Sequence, residues 1–178
     1  FIVDPIDGTT SFVRGLKQSA VSVALACDGA VECAVVYDPF KEELFSARRG
    51  GGAFCNGAPI HVSERPLAQG VFGMGTAIYR REYLEPTMRV TEQLFRRSCD
   101  FRRLGAASLD LCDVACGRLE LFFEYSLCPW DHAAAGLIVT EAGGFVSTLE
   151  GDPLSLSDRC SVWASNRVNR DLLRELEV

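Results

Sequence analysis

The spacing of apolar residues divides the chain into a first part of predicted strands and a second part in which strands and helices alternate. In the first part, short apolar runs are separated by turn sequences, of which Asp28-Gly29 is a strong hairpin signal. Strands are predicted at residues 1–4, 19–27, 30–37 and 43–47, a turn at 53–57, and an edge strand at 59–63. The short connections between them predict an antiparallel meander.

The second part carries apolar residues at helical spacing between further short strands. Residues 83–98, in which Leu84, Met88, Thr91 and Leu94 follow one another at steps of three or four, are predicted to form a helix. Further helices are predicted at 109–116, 130–142 and 170–176, with Ser108 capping the first and Asn169 the last, and strands at 71–77, 101–104, 119–125, 145–149 and 162–165.

These elements predict an α+β fold of layered sheets and helices. The length of 178 residues, 48% of them hydrophobic, suffices for one domain with a proper core. We therefore predict a single domain over residues 1–178 with two sub-lobes, about 1–70 and about 71–178. Phe1 resembles the interior of a buried strand, where domains seldom begin because lost pairing leaves backbone groups unsatisfied. We expect an N-terminally truncated fragment.

Composition narrows the classes of function. A net charge of -6 disfavours nucleic acid as a partner, because surfaces that bind it are usually basic. The longest apolar run, residues 20–27, is far shorter than the roughly 20 residues of a membrane span, so no membrane partner is expected. The eight cysteines form no Cys-x-x-Cys pair and complete no zinc site, which is typical of reduced thiols in a cytoplasmic protein.

The most informative motif is the sequence Asp-Pro-Ile-Asp-Gly-Thr-Thr at residues 4–10, which follows an apolar strand. Asp4 and Asp7 can face one point, and two close carboxylates repel each other unless a cation neutralises them. The backbone carbonyl of Ile6 can add a third oxygen, the ligand type that magnesium prefers. The amides of Gly8, Thr9 and Thr10 begin a helical turn and can bind an anion.

A similar motif, Asp-x-Asp-Gly-Thr, occurs in haloacid-dehalogenase phosphatases, where the first acid is a covalent nucleophile. Here Pro5 occupies that position and cannot act as a nucleophile. Asp4 lies one residue away, so its side chain would point to the opposite side of a continuing strand. An aspartyl-phosphate mechanism is therefore disfavoured.

A third acid, Asp131, stands in the first turn of the predicted helix at residues 130–142. The helix dipole favours a negative charge there, so the position alone is weak evidence for function. The following residues are nearly all small and apolar, which predicts a helix buried on most sides. An acid buried at such a helix end needs a partner, and a cation shared with Asp7 would supply one.

Two stretches carry a family resemblance. Residues 4–10, and residues 130–136 followed by Glu-Ala-Gly-Gly, resemble the two signatures of the inositol monophosphatase family of magnesium-dependent phosphomonoesterases. The segments 36–39, 50–57 and 105–112 resemble family segments in order and spacing. The resemblance covers essentially the whole chain, and it implies a layered αβαβα-type sugar-phosphatase fold that lacks its N-terminal helices.

The resemblance also implies residue roles. It makes Asp4, the Ile6 carbonyl, Asp7 and Asp131 ligands of two or three Mg²⁺ ions, and Asp4, Asp7, Thr9 and Asp131 the catalytic residues. Gly8, Thr9, Thr10 and Asp131 would contact the phosphate or substrate, and Gly105, Ala106 and Glu124 the substrate hydroxyls. Glu124 has the alternative of a solvated acid at a strand end. His132 is expected to lie behind the ligands or at the surface.

The implied reaction is magnesium-dependent hydrolysis of a small phosphomonoester, with inositol monophosphate as first choice, in a cytoplasmic homodimer. Alternative substrates are histidinol phosphate, fructose bisphosphate and a nucleotide 3′-phosphate. Family members carry a metal-binding glutamate and a water-activating acid upstream of the first signature, and both would precede Phe1. A non-catalytic fragment that binds metal or a partner is therefore the alternative class.

Overall fold

Two β-sheets and four α-helices make up residues 1–177, the part of the chain that the computed structural model describes. Val178, the last residue of the predicted second sub-lobe, lies outside it. The first sheet has six antiparallel strands in sequence order: β1 Ile2–Asp7, β2 Ala20–Cys27, β3 Ala30–Asp38, β4 Glu43–Arg48, β5 Ala53–Cys55 and β6 Ala58–Pro59. The predicted meander is confirmed.

The second sheet has five strands in the spatial order β10-β11-β9-β7-β8. Its strands are β7 Val71–Met74, β8 Asp100–Arg102, β9 Leu121–Leu127, β10 Phe145–Ser147 and β11 Cys160–Ser165. Strand β7 runs parallel to its neighbours β8 and β9, while β11 is antiparallel to both of its neighbours. The parallel pairs place the carboxyl ends of β7 and β8 at one edge of the sheet.

The helices separate and cover the sheets. They are α1 Thr9–Val13, α2 Leu84–Phe95, α3 Ala107–Ala115 and α4 Pro129–Glu141, and short 3₁₀ helices occur at Leu67–Gln69, Arg81–Tyr83 and Arg170–Glu175. α3 and α4 pack between the two sheets, and α2 covers the other face of the second sheet. The layers therefore run sheet, helix, sheet, helix, and the predicted α+β layered fold is confirmed.

Side-chain size explains the position of α4. The stretch from Ala133 to Val139 is buried throughout, and its alanines and glycine let the backbone approach both sheets. On the facing sheet, β3 alternates so that Ala34, Val36 and Asp38 point inward. The result is one apolar core between the sheets that fixes the first residues of α4 against the end of β1.

Five local predictions are wrong. β1 is an edge strand that continues to Asp7, and Phe1 is 87% exposed because no described strand pairs with its outer side. Residues 53–55 form β5 rather than a turn, and the predicted edge strand at 59–63 stops at Pro59 because Val62 N–H donates to the Ala142 carbonyl. The predicted helix at 170–176 is a 3₁₀ helix, Arg170–Glu175.

The fifth correction concerns Asn169, whose side chain does not cap that 3₁₀ helix. Its oxygen instead accepts the Leu67 N–H at 2.9 Å, and its amide donates to the Arg65 carbonyl at 3.0 Å. None of the helices among residues 1–177 is both long and apolar enough to cross a bilayer. All eight cysteines lie in this range and are free.

Candidate metal and phosphate site

The turn between β1 and α1 is built by local hydrogen bonds. Asp4 Oδ1 accepts the Ile6 N–H at 3.0 Å, and the Thr9 hydroxyl donates to the Ile6 carbonyl at 3.0 Å. The pairing with β2 shifts register between Asp4 and Asp7, which turns both carboxylates toward one side. This irregularity at the strand end is what brings the two acids together.

Gly8 is required at the next position. Its φ of 77° lies in the left-handed region, and a Cβ there would stand 2.7 Å from the Gln18 carbonyl oxygen and 3.0 Å from the Ala106 Cβ. The residue after it, Thr9, begins α1, so the first amides of this helix have no partner within the helix. Gly8, Thr9 and Thr10 all line the same cavity.

Asp131 reaches this turn from the start of α4. Pro129 is the first helical residue, and the Asp131 carboxylate accepts the Cys128 N–H at 2.7 Å, which fixes the carboxylate at the helix end. Because α4 packs against β1 and β2, this helix end lies beside the first turn of the chain. The predicted position of Asp131 in the first helical turn is confirmed.

The structure brings Asp4, Asp7 and Asp131 together: one carboxylate oxygen of each lies within 4.8 Å of the others. An octahedral Mg²⁺ with ligand distances of about 2.0–2.1 Å places its oxygens roughly 3–4 Å apart. The three oxygens are of the chemical type that a hard cation prefers, and from separations of up to 4.8 Å they would move slightly closer around a shared ion. The Ile6 carbonyl, which also lines the cavity, keeps one lone pair free of the Thr9 hydroxyl.

The electrostatics of the three acids call for a cation. Burial raises the pKa of Asp131 to about 6, the Cys128 N–H partly offsets this, and the charges of Asp7 and Asp4 add to it. Burial likewise raises the pKa of Asp7, hydrogen bonds from Ser108 lower it, and Asp4 raises it. Asp7 and Asp131 therefore each bear a cost of ionisation that a shared metal ion would remove.

The support of Asp7 is a feature that the sequence did not reveal. We predicted Ser108 as the N-cap of α3, but this helix begins at Ala107. Ser108 is fully buried, and its hydroxyl and backbone N–H donate to one oxygen of Asp7 at 2.5 and 2.8 Å. These two bonds orient the Asp7 carboxylate and leave its other oxygen for a cation.

A cavity of about 520 Å³ opens beside the acids. Of the predicted substrate contacts, Gly105 and Glu124 line it, whereas Ala106 does not. The side chain of Ala106 is fully buried behind the Gly8 turn, and its neighbour Ala107 forms the wall instead. The structure therefore places Ala107 at the cavity wall, and a substrate contact of Ala106 stays a prediction.

Glu124 lies in the middle of β9, is partly buried and lines the cavity, so it is not the solvated acid at a strand end that was the alternative. Its carboxylate accepts the Ala77 N–H at 2.8 Å. Burial raises its pKa to about 7, while that hydrogen bond and nearby Arg103 lower it. Gly75 leaves the space that the carboxylate occupies, because a Cβ there would overlap the Glu124 Oε2 atom.

One further residue fits one of its two expected positions, and another was missed. His132 is fully buried with its Nε2 atom 3.6 Å from the Cys160 sulfur, and burial lowers its pKa to about 4. It does not line the cavity, so it lies behind Asp131 rather than at the surface. Asp110, which the sequence placed only within a helix, lines the cavity although it is 1% exposed.

Comparison with known proteins gives a consistent picture. Residues 1–177 match the model of the inositol monophosphatase family. The Nus factor SuhB of Escherichia coli K12 is 45% identical over 152 residues, which are 85% of this chain and 57% of that protein. The chain thus spans less than two thirds of the length of this relative.

Two solved structures support the same family. The extragenic suppressor protein suhB from Bartonella henselae superposes with a TM-score of 0.91 at 38% identity, over 97% of this chain and 66% of the other. An inositol monophosphatase from Anabaena (Nostoc) sp. PCC 7120 superposes with a TM-score of 0.90 at 33% identity, over 99% of this chain and 71% of the other.

Proposed function

The chain belongs to the inositol monophosphatase family, a family of phosphatase-type enzymes, and we propose that it carries the metal-binding and phosphate-binding part of a phosphomonoesterase. The proposed reaction is magnesium-dependent hydrolysis of a small polyol phosphate, with inositol monophosphate as first choice. The observation that carries the proposal is the approach of Asp4, Asp7 and Asp131 to within 4.8 Å beside a cavity lined by the Gly8 turn.

Asp4, the Ile6 carbonyl, Asp7 and Asp131 would hold two or three Mg²⁺ ions. Bound magnesium supplies Lewis-acid polarisation of phosphate oxygens and neutralises the charge that develops on them. The chain itself fixes the ligands: Ser108 orients Asp7, and the helix cap orients Asp131. This preorganisation is what makes electrostatic stabilisation effective.

The phosphate would lie against the first turn of α1. Gly8, Thr9 and Thr10 line the cavity, and amides at the start of a helix favour an anion. The Thr9 hydroxyl, held by the Ile6 carbonyl at 3.0 Å, can accept a hydrogen bond from the attacking water and keep it in line with phosphorus. The water oxygen bonds to phosphorus as the ester bond breaks, and the departing alkoxide takes up a proton.

The alcohol part of the substrate would extend from the phosphate into the rest of the cavity, which Gly105, Ala107 and Glu124 also line. With a pKa raised to about 7, the Glu124 carboxyl can accept from, or donate to, a substrate hydroxyl near neutral pH. Histidinol phosphate, fructose bisphosphate and a nucleotide 3′-phosphate stay alternative substrates, because these residues suit any small polar alcohol.

A second candidate is a binding role without turnover. It is favoured by the name of the Escherichia coli relative, Nus factor SuhB, and by the fact that this chain spans 57% of that protein. Homodimerisation, a cytoplasmic location and the absence of a nucleic-acid partner stay predictions in both cases.

The test is phosphate release from a panel of phosphomonoesters, with and without Mg²⁺. We expect release that requires Mg²⁺ and that Asp131→Asn lowers at least ~100-fold, in line with loss of one preorganised charged group. The matched control is Asp28→Asn, an exposed hairpin acid, which should leave the rate unchanged. Magnesium binding without turnover of any substrate would favour the binding role, and neither binding nor turnover would end both proposals.

A further inference from the structure

Three arginines among the described residues line the cavity, namely Arg80, Arg103 and Arg159, and they differ in how they are held. Arg80 is paired with Glu82 at 2.6 Å, so a neighbour already offsets its charge. Arg159 is exposed, and no hydrogen bond or ion pair within residues 1–177 holds its guanidinium. Arg103 combines the two properties that a binding residue needs, because it is held in place and its charge is not paired.

The guanidinium of Arg103 lies over Gly105, between two segments of the cavity wall. Its Nη2 atom donates to the Thr76 hydroxyl at 3.1 Å. A Cβ on Gly105 would overlap the Arg103 Nη1 atom and stand 3.5 Å from the Ser11 hydroxyl oxygen, so only a glycine leaves room for the guanidinium. Nη1 therefore lies beside Ser11, three residues after Gly8.

Gly105 also borders the Gly8 turn, against which the substrate phosphate is proposed to lie. A Cβ on Gly8 would stand 3.1 Å from the Gly105 carbonyl oxygen. Gly8, Thr9, Gly105 and Arg103 all line the same cavity. Because one glycine contacts both the Gly8 turn and the guanidinium, the part of the substrate within reach of Arg103 is the phosphate.

The guanidinium keeps its charge and most of its donors. Of its five N–H groups, one is used for Thr76 within residues 1–177. No carboxylate of these residues forms an ion pair with Arg103, and the Glu124 carboxylate accepts the Ala77 N–H instead. Burial raises the pKa of Glu124 to about 7 and the pKa of Asp110 well above its usual value, so neither acid fully offsets Arg103 near neutral pH.

Resting on the proposed phosphatase function, we propose that Arg103 binds the phosphate of the substrate together with the Gly8 turn. A phosphate ester carries close to two negative charges near neutral pH, and a planar guanidinium can donate two parallel N–H bonds to its oxygens. The same oxygens carry the charge of the transition state, so the contact would support turnover as well as binding. Arg103 is then a catalytic residue that the family resemblance does not imply.

Binding of inorganic phosphate, the product of the reaction, tests this contact without turnover. In calorimetric titrations at pH 7.5 and saturating Mg²⁺, we expect Arg103→Gln to weaken phosphate binding at least ~10-fold, because a charged hydrogen bond is lost. Arg103→Lys keeps the charge but not the planar fork, so it should weaken phosphate binding less. Mg²⁺ affinity without phosphate should not fall in either variant, because Arg103 is not a metal ligand.

The matched control is Arg80→Gln, which removes a cation from the same cavity that is already paired with Glu82. This variant should change phosphate affinity less than ~2-fold, since paired and exposed charges contribute little. Melting temperatures show whether the variants are folded. An unchanged phosphate affinity in Arg103→Gln, or an equal loss in Arg80→Gln, would overturn the contact.

Turnover gives an independent measurement. In Arg103→Gln, kcat/KM for inositol 1-phosphate and for glycerol 2-phosphate should fall by the same factor, because the contact is to the phosphate that both esters share. A loss confined to one ester would place Arg103 at the alcohol and overturn the proposal.

The phosphate titration also separates this proposal from the hydrolytic function. If the wild type hydrolyses neither ester but binds phosphate, and Arg103→Gln weakens that binding, the contact is supported although the function fails. If the wild type hydrolyses both esters and phosphate affinity is unchanged in Arg103→Gln, the contact alone is overturned.

Discussion

Replacing Asp131 by asparagine separates its structural role from its proposed role as a metal ligand. The carboxylate accepts the Cys128 N–H at 2.7 Å, and the side-chain oxygen of asparagine can keep that bond and with it the start of α4. The substitution removes only the charge. Without metal, that charge destabilises the folded protein, because burial and the charges of Asp7 and Asp4 raise the pKa of Asp131 to about 6.

The magnitude follows from the two pKa values. A rise from 3.8 to about 6 corresponds to an upper limit of roughly 3 kcal/mol, and partial exposure of Asp131 reduces this to roughly 1–3 kcal/mol. Because the pKa of Asp131 is higher in the folded than in the unfolded chain, protonated Asp131 contributes fully to the free energy of unfolding below pH 3.8. This contribution is lost as the pH rises through about 6. At pH 7.5 the metal-free variant should melt roughly 2–10 °C above the wild type.

Magnesium should reverse this order. At a concentration 100 times the dissociation constant, binding stabilises the wild type by about 2.7 kcal/mol, which is roughly 5–11 °C for a chain of this size. Asp131→Asn, with one anionic ligand fewer, should shift by less than ~2 °C. The assay is thermal unfolding with and without Mg²⁺, with Asp28→Asn as the surface control. A variant that melts below the wild type without metal, or that keeps the full Mg²⁺ shift, would refute the reasoning.

Three further predictions test neighbouring parts of the site. Ser108→Ala removes the 2.5 Å bond to Asp7 and should weaken Mg²⁺ binding by roughly 5–100-fold in a calorimetric titration, whereas an unchanged affinity would mean that the remaining backbone bond suffices. Gly75→Ala would displace Glu124 and should raise KM for the substrate at least ~10-fold with little change in Mg²⁺ affinity; an unaltered KM would remove Glu124 from the substrate site. Mg²⁺ affinity should fall as the pH drops through about 6, where Asp131 takes up a proton, and an affinity independent of pH between 5 and 8 would contradict this ligand assignment.

The sequence predicted those parts of the site whose signals are local. The acids of residues 4–10 follow a strand and precede a glycine turn, and Asp131 follows Pro129 at a helix start, so both positions could be read from neighbouring residues. That Asp7 and Asp131 meet follows from the packing of α4 against the first sheet. From the sequence, this approach of Asp7 and Asp131 could be inferred only because a buried acid needs a partner and because of the family resemblance.

The missed residues depend on contacts between distant parts of the chain. Ser108 and Asp7 are 101 positions apart, and a serine before an apolar run looks like a helix cap whatever it contacts. The sequence placed Asp110 only within the predicted helix at 109–116, and its position at the cavity depends on the packing of α3 between the two sheets. The short β5 and the exposure of Phe1 likewise depend on which strands are neighbours. The division into two sub-lobes stays a prediction.

The most direct test of the central claim is a crystal structure of the protein soaked in Mn²⁺, with anomalous scattering used to locate the metal. We predict an anomalous peak that lies within coordination distance, about 2.0–2.3 Å, of an oxygen from each of Asp4, Asp7 and Asp131. A well-ordered site without such a peak, or manganese bound only elsewhere on the protein, would contradict the claim that these three acids share one metal ion.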